Sequence, residues 1–299
     1  LGNDGPVTVT PRSLALLAVG VCAVSLAAPL MAHLLVPALA IAFWRNAFAT
    51  AAVLPTAAIR RRTELVALTR RQAGEIALAG LCLAAHFGFW ISSLRMTSVA
   101  SSTALVSLQV IWVVGWDLAT GNRVPTRVLG GVGVATLGAL VVSGIDLSLS
   151  ARALAGDALA LAGSVAVAAY AVLGGRVRRR TSTTTYTAGA YGVAAVALGI
   201  AALVAGQRLD GYAGGQWLGL LVLTATAQLL GHSVFNHLLA TVTPTVVSLA
   251  LLLEIPGASL IAGVWLGQVP AWGTVAGLVL ILAGTASVVL GDRPATAPA

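Results

Sequence analysis

Residues 244–266 read PTVVSLALLLEIPGASLIAGVWL, and this stretch decides the fold. It carries one charge, Glu254, in a block long enough to cross about 30 Å of hydrocarbon as an α-helix, which takes roughly 20 residues. Its apolar residues do not alternate with period two, so a barrel strand is excluded. In hydrocarbon every backbone N–H and C=O must be satisfied internally, and a helix does that within one segment.

Nine more blocks of this kind surround it. The spacing predicts spans at roughly Ser13 to Ala32, Pro37 to Ala58, Ala73 to Leu94, Ser98 to Leu118 and Arg127 to Gly144. The rest are Leu154 to Gly174, Thr184 to Gly206, Gly214 to Leu239, Pro244 to Leu266 and Ala271 to Leu290. Turn residues separate them, as in Thr120-Gly121-Asn122, Gly206 to Gly211 and Gly267-Gln268-Val269-Pro270. The first block, though it follows a short polar start, is one of a series and reads as a span rather than a secretory signal. Composition agrees. Of 299 residues, 58% are hydrophobic and only 9% charged, against about a quarter charged in a soluble domain. The expected class is an all-α integral membrane protein of ten transmembrane helices.

The net charge of +8 could suggest a nucleic-acid partner, but all the basic residues are Arg and they cluster between apolar blocks. That is the pattern of positive charge retained on the cytoplasmic side. With the N-terminus inside, the cytoplasmic segments hold Arg12, Arg60, Arg61, Arg62, Arg70, Arg71, Arg123, Arg127, Arg176, Arg178, Arg179, Arg180 and Arg293. The outer segments hold Arg95, Arg152 and Arg208. Both termini are therefore expected inside. Cys22 and Cys82 lie within apolar blocks as small hydrophobes, and no disulfide framework or metal-type spacing is present in the sequence.

A shift of 146 positions carries His86 onto His232, Phe89 onto Phe235, Thr97 onto Thr243 and Ser102 onto Ser248. It also carries Ala104 onto Ala250, Leu105 onto Leu251, Gly121 onto Gly267, Gly131 onto Gly277 and Gly138 onto Gly284. The chain is thus two related halves, 12–145 and 153–291, of five spans each. An odd number of spans per half puts the second half into the bilayer upside down. Such inverted repeats recur in secondary transporters, with the solute site near the midplane between the halves. Gly130, Gly131, Gly133 and Gly138 in the fifth span, and Gly273, Gly277 and Gly284 in the tenth, suit close helix packing.

On this layout the chain resembles the EamA family of the drug/metabolite transporter superfamily over about Arg12 to Gly291. The resemblance rests on Phe43-Trp44-Arg45-Asn46-Ala47, on Leu251 to Ala258 closing with Trp265-Leu266-Gly267, and on Ser107-Leu108-Gln109-Val110-Ile111-Trp112 closing at Gly121-Asn122. Two places depart from the family pattern. Val110 stands where the fourth span often has the Pro matched by Pro256, and Asn122 and Gln268 stand where a Gly-Glu ending is common. The resemblance implies alternating-access movement of a small organic metabolite, an amino acid or drug-like solute, across the bacterial inner (cytoplasmic) membrane. Export is favoured over uptake. It also implies a central cavity bounded by the first, third, fourth, sixth, eighth and ninth spans. A non-transporting scaffold and an intramembrane enzyme are the alternatives. No nucleophile motif, phosphate loop or ATP-binding segment stands out, so no enzyme activity and no cofactor are expected.

Charged groups at mid-bilayer usually face a cavity or a partner. Arg45 and Glu254 are the two intramembrane charges. Glu254 reads as a ligand for an amine, a proton carrier, or a structural group at the break made by Pro256. Arg45 reads as a carboxylate ligand or as a tie between helices. His86 with Trp90, and His232 with Asn236, share helical faces at i, i+4 and suit a cavity wall, with His as a possible proton relay. Gln109 and Trp112 add a donor–acceptor pair and an aromatic face. The expected substrate-binding set is His86, Trp90, Gln109, Trp112, His232, Asn236 and Glu254, with no metal site. The partners are a small-molecule substrate, the lipid bilayer and protons as coupling ion.

Overall fold

The computed structural model describes residues 10–145, 150–267 and 272–289. Among these residues the chain is helical, with no strand. Eight helices are long and apolar enough to cross a membrane. In chain order they are α1 Pro11–His33, α2 Ala38–Arg60, α3 Arg70–Ser93, α4 Val99–Ala119, α6 Ala151–Arg178, α7 Thr183–Val204, α8 Gly214–Leu238 and α9 Pro244–Leu266. Two further apolar helices, α5 Thr126–Ile145 and α10 Trp272–Val289, complete the set. Their described apolar stretches, Thr126–Val142 and Trp272–Val288, are shorter than the other eight. The expected turn residues Gln268 to Pro270, and Arg293, lie outside the described residues.

Short connections make successive helices alternate in direction, so their ends sort into two groups. One group gathers Arg60, Arg61, Arg62, Arg70, Arg71, Arg123, Arg127 and Arg176 to Arg180, and is called the Arg-rich end below. Local chemistry sets the helix starts. Thr69 and Gln72 form a capping box at α3, Ser98 caps α4, Ser150 caps α6, Ser182 caps α7 and Thr243 caps α9. Each cap satisfies a backbone N–H that the helix leaves free and is worth about 1 kcal/mol. Large exposed side chains such as Leu203, Leu218, Leu260 and Val264 stand on the outer faces, where hydrocarbon replaces water.

The two halves meet through matching helices. A Cβ built on Gly131 of α5 would lie 2.8 Å from Gly284 O of α10, and one on Gly138 would lie 2.5 Å from Gly277 O. As the α5 number rises, the α10 number falls, so these repeat-related helices cross antiparallel with backbones touching. The same order holds for α2 and α7, where Phe43 meets Gly199 and Thr50 meets Gly192. Gly133, by contrast, faces open space. The packing role expected for the glycines therefore falls on Gly131, Gly138, Gly277 and Gly284.

Four helices depart from a regular ladder. α1 is interrupted at Leu26, where Pro29 withholds the N–H that Ser25 O would accept. α9 is interrupted at Leu252 and Leu253, just before Pro256. α4 is interrupted at Leu108 although Val110 replaces proline. There Leu108 N–H donates to Leu105 O and Ile111 N–H to Leu108 O, a tightening to i→i−3 bonds that needs no proline. The fourth-span helix thus breaks without a proline. The fourth irregular helix is α8, which is π-helical over Thr224–His232.

Candidate functional site

The breaks in α4 and α9 fall at matching places, since Leu108 and Glu254 are repeat partners. Each break begins a new half-helix, so Gln109 and Glu254 occupy first turns, where the helix end is electropositive. Both are buried, and neither Gln109 Oε1 nor Glu254 Oε1 has a hydrogen-bond partner among the described residues. An unpaired buried acceptor costs on the order of 1–3 kcal/mol.

A second group lies where α2, α3 and α8 meet. Arg45 is fully buried. Its Nε–H donates to Gln228 Oε1 at 2.9 Å, its Nη1 reaches Met31 Sδ at 3.5 Å, and its guanidinium sits 3.9 Å from the Phe87 ring centroid. Its Nη2 has no partner. The repeat partners His86 and His232 face one another with ring centroids 6.4 Å apart. His86 stacks on Trp90 at 5.5 Å, and its Nδ1 bonds to Gly163 O of α6 at 3.1 Å. His232 meets the edge of Phe87 at 5.2 Å. Trp90 Nε1–H is buried without an acceptor. Arg45, His232 and Glu254 lie within electrostatic range, yet Arg45 and Glu254 form no ion pair.

Asn236 and Trp112 find their hydrogen-bond partners on other helices. Asn236 follows His232 by one turn of regular α-helix. Its amide accepts from Tyr170 Oη at 2.8 Å and donates to Tyr191 Oη at 3.2 Å, on α6 and α7. Trp112 is 46% exposed and donates its indole N–H to Ser164 Oγ of α6 at 2.9 Å. Two carboxylates near helix ends are paired locally. Glu75 pairs with Arg71 at 3.1 Å, and Asp117 accepts from Asn122 and Thr245.

Sequence reading missed the network around Gln228. Gln228 accepts from Arg45 and donates to Asn46 Oδ1, while its carbonyl accepts from Ser233 and from Tyr191. Arg45 and Tyr191 are repeat partners, so matching positions of α2 and α7 converge on one residue of α8. Arg178 extends the chain to the Arg-rich end through Asn236 O, Thr181 O and Thr183 Oγ1. A polar residue 14 places after an ordinary span start, as Gln228 is after Gly214, carries no spacing signal. The Tyr and Gln positions could have been flagged only as polar groups inside apolar blocks.

The two ends of the bundle differ. At the Arg-rich end a cavity of about 370 Å³ opens between the ends of α4, α6, α8 and α9. Trp116, Asp117, Asn122, Arg176 and Arg179 line it, with the α8–α9 connection, so both halves contribute. At the opposite end Arg95 clasps the α1–α2 connection, its guanidinium donating to Ala32 O, Leu34 O and Val36 O. Arg152 donates in turn to Arg95 O, and α6 packs Gly156 onto Met96 and Thr97. Burial lowers the Arg95 pKa from its ordinary value, and the three carbonyls supply its hydrogen bonds.

Comparison with known proteins gives a family match and a structural likeness. The family model described as the EamA-like transporter family matches residues 12–144 and again 154–290, one copy on each half. A solved structure described only as the crystal structure of a protein is similar over 94% of this chain and 98% of its own, at 18% identity and a TM-score of 0.72. That likeness carries the fold. No curated protein matches the sequence.

Proposed function

We propose that this chain, which belongs to the EamA-like transporter family, is a secondary transporter that carries a small polar organic solute across the cytoplasmic membrane by alternating access. One observation carries the reading. Arg45, Trp90, Gln109 and Glu254 each bury a polar atom without a protein partner, and they come from both halves of the chain. A solute with both a cationic and an anionic group, such as an amino acid, would satisfy Glu254 and Arg45 together, and His86 with Trp90 offers an aromatic wall.

The antiparallel crossing of α5 with α10, and of α2 with α7, supports ten spans arranged as two inverted five-helix halves. The Arg-rich end is the cytoplasmic one by the positive-inside rule, so both termini lie inside. On that orientation the cavity at the Arg-rich end faces the cytoplasm and the Arg95 clasp closes the outer end. Export begins from such a state. Protons are the proposed coupling ion, with Glu254 as carrier.

Purified protein in proteoliposomes, given a panel of amino acids and related solutes with and without an imposed pH gradient, tests this. Gradient-dependent movement of one solute class is the expected result. Transport that survives both Glu254→Gln and His86→Ala would remove these residues from the site.

A further inference from the structure

We propose that the Arg-rich end holds a second binding site, for a phosphate group, in the pocket between the first turns of α3 and the last turn of α6. This chemistry is shared by anionic lipid headgroups and free phosphate. The pocket measures about 270 Å³ and is lined by Arg71, Gln72 and Glu75 from α3 and by Arg176, Arg179 and Arg180 from α6.

Four Arg residues from different halves of the chain thus line one small space. They face a single carboxylate, Glu75, and that carboxylate is held by Arg71 at 3.1 Å. The Arg179 and Arg180 side chains have no hydrogen-bond or ion-pair partner among the described residues, while Arg176 rests over the Trp116 ring at 5.0 Å. Like charges gathered this closely repel, and an anion between them turns repulsion into attraction. Guanidinium forks match phosphate oxygens two at a time, and the chain uses Arg alone where Lys would give a solvated point charge. The α3 first turn, fixed by the Thr69–Gln72 capping box, brings the electropositive end of that helix to the pocket.

A merely solvated basic face would scatter these charges. The internal repeat does not account for them either. The positions matching 176–180 in the first half are Leu30, Met31, Ala32, His33 and Leu34, which bear no Arg. The pocket lies at helix ends, the level of lipid headgroups, where basic pockets between membrane helices recognise anionic lipids. Arg176 and Arg179 also line the 370 Å³ cavity, so a bound phosphate would neutralise part of that cavity's wall.

Native mass spectrometry of the full chain in detergent decides the matter, with phosphatidylglycerol and phosphatidylcholine of equal acyl length as probes. Wild type should retain phosphatidylglycerol and not phosphatidylcholine. The variant carrying Arg71→Gln, Arg179→Gln and Arg180→Gln should retain on the order of a hundredfold less, three surface Arg at about 1 kcal/mol each converting at tenfold per about 1.4 kcal/mol. Changing Arg60, Arg61 and Arg62 to Gln removes the same charge elsewhere on that end and should leave retention intact. Millimolar inorganic phosphate separates the sources. Displacement of the lipid shows that a free phosphate fills the site, and resistance shows that the lipid does. Arg180→Glu alone, at an exposed side chain, should lower retention several-fold and decides the matter if the triple variant does not fold. Equal phosphatidylglycerol retention by wild type and these variants, or equal loss in the Arg60–62 control, overturns the site.

Discussion

Arg45 of α2 and Gln228 of α8 are joined by a 2.9 Å hydrogen bond, Nε–H donating to Oε1, inside a bundle where Arg45 has no exposed surface. The π-helical stretch of α8 includes Gln228, and Asn46 accepts from its amide nitrogen at 3.2 Å, so its oxygen is turned toward Arg45. π-helical turns recur at functional sites because they re-aim side chains within an otherwise regular helix.

Gln228→Leu should therefore leave the Arg45 cation without its acceptor. A buried charge that loses a hydrogen bond costs about 2 kcal/mol, and the melting temperature in detergent should fall accordingly. Gln228→Glu keeps an acceptor in place and should melt closer to wild type. Equal melting of Gln228→Leu and wild type would show that the contact does not hold Arg45.

The glycine contacts between α5 and α10 give a second expectation. Gly138→Ala places a methyl group against Gly277 O and Ile281, both parts of a neighbouring backbone that cannot swing aside. Overpacking of this kind costs about 1–3 kcal/mol. Gly133→Ala meets nothing within 4 Å and should be neutral or slightly stabilising, because Ala is the better helix former. Thermal melts of the two variants should differ in that direction.

Arg95 holds the end of the bundle away from the Arg-rich one. Arg95→Gln is too short to reach Ala32 O, Leu34 O and Val36 O together. In a cysteine-free background, a Cys introduced at the buried Ser101 should react several-fold faster with a small maleimide when Arg95→Gln is present. Unchanged labelling would show that the clasp does not close this end.

Glu64, in the α2–α3 connection, accepts from Ser182 N–H at 2.5 Å at the start of α7. Partial burial pushes its carboxyl pKa up, but the Ser182 and Thr185 hydrogen bonds and nearby Arg61 outweigh that and leave it below the ordinary 4.5. A depressed carboxyl contributes stability that is complete above the unfolded value and lost as pH falls through the folded one. Glu64→Gln should thus melt below wild type at neutral pH, and the gap should close as pH drops beneath about 4.5. A gap that widens on acidification would contradict this sign.

Much of this architecture was legible in the chain itself. Spans ending within a few residues of the observed helices follow from apolar block length, as with Pro244–Leu266. The repeat followed from His86 with His232 and from the ordered glycines, because matching positions must pack alike. At Asn236 and Trp112 the structure supplies partners that the sequence does not announce, Tyr170 and Tyr191 for the first and Ser164 for the second. Trp112 follows the break at Leu108, which no proline announced.

Sequence by itself determined that the chain is a membrane bundle of two related halves, since hydrophobic length and repetition are properties of the chain alone. Tertiary structure decided which polar groups face one another. Gln228 turned to Arg45, His86 set against His232, and Glu254 left with a free oxygen depend on how far each helix is rotated and where its ladder breaks. Rotation comes from contacts between helices, such as the α5–α10 glycine crossing, and a break such as the one at Leu108 has no proline to announce it.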